Sequence, residues 1–306
     1  MLTRGGEPSL DAASPVQGAL VELAPAKINL TLAVERRRAD GFHDLASLVA
    51  FASIGDELSL RPSSELSLEV SGPFAQDSGA PEGNLVLKAA KALARRLPGL
   101  KLGKFSLTKN IPAAAGLGGG SADAAAALRL LAKLNGLSPQ NDVVQDVACE
   151  TGSDVPVCLA CVCRIMRGRG EILGPRLTMP SLSGVLVNPR VQLETARVFA
   201  TLAKLHGTGV SLPFKEPARA CTAAAWLAAI ERCGNDLEAA AISLAPTVRD
   251  AAMRLRAQTG CALARLTGSG PTVFGLFADE KHAALAAENI GKAEPGWWVR
   301  SVRLNG

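Results

Sequence analysis

Residues 112–123 read Pro-Ala-Ala-Ala-Gly-Leu-Gly-Gly-Gly-Ser-Ala-Asp, and this turn constrains the fold more than any other stretch of the chain. Before it, Lys104 to Lys109 alternates apolar Phe105 and Leu107 with polar Ser106 and Thr108, which predicts a half-buried strand. After it, Ala124, Ala125, Leu128, Leu131 and Ala132 recur at three- and four-residue intervals. That spacing predicts a helix with one apolar face, its start capped by Ser121 or Asp123. A helix start carries about half a positive charge and several unpaired N–H groups. Gly116, Gly118, Gly119 and Gly120 let the backbone approach a ligand without Cβ obstruction, so the turn suits a phosphate. No Gly-Lys-Ser/Thr follows, which excludes a Walker A loop, and the spacing is not that of a dinucleotide fold.

The chain has 306 residues, 48% hydrophobic and 20% charged, enough for two packed domains. A net charge of +5 fits a binder of small anions but lacks the dense Lys/Arg clusters of a nucleic-acid groove. Tyrosine is absent and aromatic residues total 4%, which argues against base stacking along a single strand. The seven cysteines are scattered, and the N-terminus has no basic start followed by an apolar run, so a reducing cytoplasm is expected. Cys158, Cys161 and Cys163 have no second cysteine or histidine pair at ligand spacing, and their apolar neighbours predict a buried strand.

Residues 1–20 are rich in Gly, Pro, Ser and Ala without periodicity and read as a mobile tail. Strand-like pattern begins at Leu20, and a Pro/Ser-punctuated stretch from Gly174 to Ser183 marks a domain boundary. The expected division is 21–178 for a first α/β domain and 179–306 for a second, helix-rich α/β domain. In the latter, Thr222 to Cys233 predicts one helix, and Leu237 to Gln258 predicts two, separated at Pro246. Ala262 to Phe277 predicts two short strands around a second glycine-bearing turn, Thr267-Gly-Ser-Gly. No stretch has the length and apolarity of a membrane span.

Three further segments carry side chains suited to chemistry. Alternation from Ala24 to Val34 sets Lys27, Asn29 and Thr31 on one face and Ile28, Leu30 and Leu32 on the other. By itself this segment reads as ordinary sheet with one side in water. Gly41-Phe-His-Asp follows a basic loop, Arg36 to Arg38, and makes His43 a candidate. Asp154 lies in the polar turn Thr151-Gly-Ser-Asp-Val-Pro, where Pro156 disfavours helix at Val155. Asp154 reads either as a reactive group at an irregular junction or as a helix cap.

Together these segments make the chain recognisable. Ala24-Pro-Ala-Lys-Ile-Asn-Leu, the turn Pro112 to Asp123, and Ala264-Arg-Leu-Thr-Gly-Ser-Gly-Pro-Thr-Val-Phe resemble, in order, the three motifs of the GHMP kinase superfamily. Lys27-Ile-Asn-Leu, Arg38-Ala-Asp-Gly-Phe-His-Asp-Leu, Gly152-Ser-Asp-Val-Pro, Gly168-Arg-Gly-Glu and Gly234-Asn-Asp-Leu-Glu are similar to the branch whose acceptor is a cytidine diphosphate-linked methylerythritol. The resemblance implies a two-domain α/β fold with an N-terminal ATP-binding domain. It also implies ATP and Mg²⁺ as cofactors, and transfer of the γ-phosphate to the acceptor's 2-hydroxyl in non-mevalonate isoprenoid precursor biosynthesis. Carried over by position, Lys27 and Asp154 match the catalytic pair. Pro112, Ala113, Ala114, Ala115, Gly116, Leu117, Gly118, Gly119, Gly120 and Ser121 match the triphosphate loop, with the Ser121 hydroxyl a candidate Mg²⁺ contact. Asn84 matches an adenosine contact. Asn29, Phe42 and His43 match acceptor contacts, His43 toward the cytosine, and Thr195 a contact near the methylerythritol. The expected partner is a small molecule, with no nucleic acid and no membrane, and a monomer or homodimer.

Four positions depart from the family pattern. Ala113 to Ala115 stand where glycines are usual, Ala122 where a second serine is common, Phe42 for tyrosine, and Asn188 where histidine often precedes the proline. Stacking by Phe42 on a base survives the loss of the phenolic hydroxyl. Three other readings stay open: a kinase for homoserine, mevalonate or a sugar; an ATP-dependent decarboxylase of a phosphorylated acid; and a nucleotide sensor without turnover.

Overall fold

The computed structural model describes residues 18–39, 41–80, 83–205, 211–217 and 222–305. The expected tail therefore lies mostly outside the described residues. The chain begins with β1 (Leu20–Asn29), β2 (Ala33–Arg37), β3 (His43–Pro62), β4 (Ser67–Ser71), α1 (Leu85–Arg96) and β5 (Gly103–Thr108). It continues through α2 (Gly119–Leu134), α3 (Asp142–Thr151), α4 (Val155–Ala160), β6 (Arg164–Gly168) and β7 (Ile172–Arg176). The second half holds β8 (Leu182–Asn188), α5 (Thr195–Leu205), α6 (Ala223–Glu231), α7 (Glu238–Leu244) and α8 (Thr247–Arg256). It closes with β9 (Cys261–Leu266), β10 (Val273–Phe277), α9 (Glu280–Ala293) and β11 (Trp298–Asn305).

The 20-residue strand β3 is the spine of a mixed sheet. Its outer half pairs with β1 and β5, its inner half with β2 and β6, and β11 joins it at Phe51 and Ala52. Beyond β11 the sheet runs on through β8, β10 and β9, so both halves of the chain share one hydrogen-bonded surface. Gly55 permits the crowding at the middle of β3. A Cβ there would collide with the Ala24 carbonyl, opposite the bulge between Pro25 and Lys27.

Helices cover the sheet in two groups. Of the first four, α2 packs on β1 and β3 and α4 on β1, while α1 and α3 pack chiefly against these helices and each other, with Leu128, Leu130 and Leu131 of α2 fully buried. Burial of each such leucine contributes about 1.5–3 kcal/mol. The alanines of α2 let its backbone approach β1 and α1 closely. The second group, α7 to α9, buries Ala251, Leu255 and Ile290 against β8, β9 and β10. Pro246 separates α7 from α8 as its missing N–H and fixed φ require.

Three local expectations are corrected. Residues 157–160 are helical rather than extended: α4 begins at Val155 with Pro156 in its first turn, where a missing N–H costs nothing, and only Arg164 onward is strand. Short apolar runs do not distinguish buried strand from buried helix by periodicity, and here the proline favours the helix. Next, α2 starts at Gly119 with Gly118 at its N-cap, and neither Ser121 nor Asp123 caps it. Finally, the row Lys27, Asn29 and Thr31 is buried rather than solvated. The first glycine turn and Asp154 cover Lys27, the second glycine turn meets Asn29, and β3 takes the Thr31 hydroxyl.

Candidate active site

The glycine turns are the joint around which the site is built. Gly116 has φ +74°, a left-handed conformation, and a Cβ on it would lie 2.8 Å from the carbonyl oxygens of both Thr267 and Gly270. The first turn thus packs directly on the second, and the Thr272 N–H donates to the Ala115 carbonyl at 3.3 Å. The first motif joins them: the Asn29 N–H donates to Thr267 Oγ1 at 2.9 Å, and the Lys27 N–H to the Leu117 carbonyl at 2.8 Å. Asn235 holds the second turn from behind, its Nδ2 donating to the carbonyls of Leu266 and Gly268, both at 2.9 Å.

These contacts leave a cleft of about 1650 Å³ between the halves of the chain. Lys27 rises from β1 beneath Gly118, whose Cβ, if present, would stand 3.2 Å from Lys27 Cε. The lysine Nζ donates to Asp154 Oδ2 at 2.8 Å. Asp154 occupies the N-cap position of α4 but makes no cap hydrogen bond, so its carboxylate turns to the lysine and the cleft instead. The lysine side chain is 5% exposed and the aspartate 30%, so the carboxylate is the open member of the pair.

The N-terminus of α2 faces the same space. Gly118, Gly119, Gly120 and Ser121 line the cleft, as do Pro112 to Gly116. With no side-chain cap at Gly118, the first N–H groups of a 16-residue helix are left for an anion. The walls carry Lys27, Arg37, Arg169, Arg190 and Lys204 against Asp77, Asp154 and Glu194, an excess of positive charge. Among the described residues no three His, Cys, Asp or Glu side chains are grouped to hold a metal ion. A divalent ion would fit only as one carried by phosphates, with the half-buried Ser121, which lines the cleft, as the protein hydroxyl of the loop.

At the opposite end, the His43 ring stacks on Phe199 of α5 with centroids 4.7 Å apart. Partial burial and the Arg37 charge hold the His43 imidazole below its ordinary pKa, so it is neutral at pH 7. Phe42 is 52% exposed, with the Arg169 guanidinium 5.0 Å above its ring. The expected basic loop is largely strand: Arg36 lies in β2 and Arg38 just after it, both are bound to Asp44, and their hydrogen bonds hold its carboxyl below the usual carboxylate range. Asn29 donates through Nδ2 to Ser47 Oγ at 2.7 Å, while its buried Oδ1 has no protein partner among the described residues, and Asn29 borders the cleft. Thr195 lies within hydrogen-bonding distance of Ser269 at 2.9 Å.

Two residues of the sequence-based set lie off the cleft lining. Asn84 caps α1, its Oδ1 accepting from the Val86 N–H at 2.9 Å, and the Leu117 side chain is buried in the core. Phe199 is a site residue that no local pattern marks, because its relation to His43 is purely tertiary. Asn188 is buried and structural, donating to Thr272 Oγ1 and accepting from the Arg190 N–H. Cys158 and Cys163 are buried among apolar side chains; burial pushes both thiols up, Cys163 to about 12.

The chain matches two family models, the GHMP kinases N terminal domain over residues 84–161 and the GHMP kinases C terminal over 218–295. It is 52% identical over 289 residues to a 4-diphosphocytidyl-2-C-methyl-D-erythritol kinase of Methylorubrum extorquens, covering 93% of this chain and 99% of that one. A protein of the same name from Rhodopseudomonas palustris is 50% identical over 94% of this chain and 99% of its own length. A crystal structure of 4-(cytidine 5'-diphospho)-2C-methyl-D-erythritol kinase superposes with a TM-score of 0.76 at 32% identity, covering 94% of this chain and 100% of that one. A homoserine kinase from Cytophaga hutchinsonii shares the fold at a TM-score of 0.66 and 19% identity, covering 99% of this chain and 98% of its own. The fold is the two-domain GHMP kinase fold, and the chain belongs to the 4-diphosphocytidyl-2-C-methyl-D-erythritol kinases of the GHMP kinase family.

Proposed function

We propose that this enzyme transfers the γ-phosphate of ATP to the 2-hydroxyl of 4-diphosphocytidyl-2-C-methyl-D-erythritol, with residues 21–178 as the nucleotide-binding half and 179–306 completing the acceptor site. Membership of a kinase family implies ATP as donor. The observation that carries the residue roles is the Lys27–Asp154 ion pair at the mouth of the uncapped α2 start.

Phosphoryl transfer needs alignment and charge neutralisation more than covalent help, because its transition state spreads negative charge over the migrating oxygens. The N–H groups at the start of α2 hold the donor phosphates, as helix starts do for anions. A Mg²⁺ ion carried on the ATP phosphates would supply further charge neutralisation, and the Ser121 hydroxyl is the side chain that would hold it. Asp154 orients the acceptor hydroxyl and collects its proton late, once the new P–O bond is largely formed. Lys27 fixes the carboxylate and lends its positive charge to the transferred group. The unpartnered Oδ1 of Asn29 is the acceptor left for a substrate hydroxyl, while neutral His43, backed by Phe199, addresses the cytosine edge and Phe42 its face. A cytoplasmic setting fits a biosynthetic kinase of this family; no helix among the described residues is long and apolar enough to cross a membrane.

Removing the ring assigned to the cytosine face separates the two substrates. Phe42→Ala is expected to raise the acceptor KM by the equivalent of about 1–3 kcal/mol, the usual worth of a base-aromatic contact, with the KM for ATP unchanged. Because the role of His43 needs the neutral imidazole and the surroundings lower its pKa, acceptor KM should be flat from neutral pH upward and rise only in more acid solution. An acceptor KM insensitive to both changes would remove this wall from the cytosine site.

The acceptor position is tested by the product. C2 of the methylerythritol bears a methyl group and no hydrogen, so a phosphate on its hydroxyl gives a phosphorus resonance without three-bond proton coupling. A coupled multiplet for the new phosphomonoester would move the transfer to another hydroxyl.

A further inference from the structure

Asp56, Lys109 and Asp123 form an ionic cluster that the transfer chemistry leaves unused. Asp56 lies in β3, Lys109 directly follows β5, and Asp123 lies in the second turn of α2; all three are buried. Lys109 Nζ donates to Asp56 Oδ2 and, at 2.7 Å, to Asp123 Oδ2. Asp56 Oδ1 accepts from the N–H groups of Asn110 at 2.6 Å and Ile111 at 2.9 Å. Asp123 Oδ1 is buried with no partner among the described residues.

The cluster lies immediately behind the phosphate-binding turn. A Cβ on Gly119, the first residue of α2, would stand 3.6 Å from Lys109 Nζ and 3.7 Å from Asp56 Oδ2. The chain leaves the cluster at Lys109, passes through the glycine turn and returns to it at Asp123. One ammonium therefore closes the neck of the whole loop and holds its outgoing helix against β3. Burial alone would lower the lysine pKa, but the Asp123 and Asp56 carboxylates raise it, so it stays charged. Buried ion clusters add little stability over well-packed apolar side chains, so core packing alone does not account for this one.

We propose that Lys109 and Asp123 are positioning residues for the nucleotide: their ion pair fixes the spacing of the loop and of the α2 N–H groups that receive the phosphates. This rests on the nucleotide role given above to the glycine turn. A misplacement of about 1 Å at such a turn can cost on the order of 10²-fold in the reaction it aligns.

The test compares wild type with Asp123→Asn, Lys109→Met and the double variant Lys109→Met/Asp123→Asn. It reads equilibrium binding of a fluorescent ATP analogue, both KM values and the melting temperature. The expected result is a rise of about tenfold or more in nucleotide Kd and ATP KM for Lys109→Met, with acceptor KM within about twofold of wild type. In the double variant only Asp56 is left without its ammonium, still held by the Asn110 and Ile111 N–H groups, so the melting temperature recovers in part while ATP KM stays high. Asp123→Asn keeps the size of the side chain, so it folds and shows a smaller rise in the same direction. Unchanged nucleotide Kd in any folded variant would overturn the inference. So would a parallel rise of both KM values that tracks melting temperature and disappears in the double variant. Failure of the wild type itself to bind nucleotide would instead overturn the reading of the glycine turn.

Discussion

Asp154→Asn is expected to lower kcat by about 10²-fold or more, the ordinary contribution of a positioned general base, while ATP binding stays near wild type. Asparagine keeps the shape and can hold Lys27 through its amide oxygen, so the cleft keeps its form. It cannot take the acceptor proton. In a loose transition state the nucleophile has formed little of its new bond, so proton transfer is late. Asp154 therefore orients the hydroxyl first and collects its proton afterwards, and the variant loses both contributions. Rapid-quench single turnover isolates this chemical step from product release. A wild-type rate in that measurement would remove Asp154 from the mechanism.

Lys27→Met is expected to cost about 10²–10³ in kcat, as loss of one preorganised donor to transition-state charge does elsewhere. Methionine retains the unbranched stem that passes beneath Gly118, so packing there survives and the loss reports on charge. Because Lys27 and Asp154 act as one unit, the double variant Lys27→Met/Asp154→Asn should be little slower than the slower single variant. Full additivity of the two losses in steady-state kinetics would mean that the residues act independently.

The local elements were legible because each has a local cause. Alternation marked β5, the three- and four-residue spacing of alanine and leucine marked α2, and Pro246 marked the break between α7 and α8. The convergence of three distant motifs was legible only through family resemblance, since no periodicity says that Asn29 meets Thr267 across most of the chain. What the sequence hid falls into two kinds. Residues 157–160 form a helix because a first turn tolerates Pro156, a choice that an apolar run leaves open. Phe199, Asn235 and Lys109 owe their places to tertiary contacts: a ring against His43, an amide against the second glycine turn, and an ammonium between two carboxylates. The burial of Lys27, Asn29 and Thr31 has the same origin. Their segment was patterned for a solvated face, and the two glycine turns, Asp154 and β3 cover it.

The most direct measurement is Mg²⁺-dependent ADP release from the purified enzyme with 4-diphosphocytidyl-2-C-methyl-D-erythritol, beside homoserine, mevalonate and galactose, with Asp154→Asn in parallel. Release with the cytidylyl acceptor alone, lost in the variant, is the predicted result. Release with another acceptor and none with the cytidylyl compound would contradict the assignment.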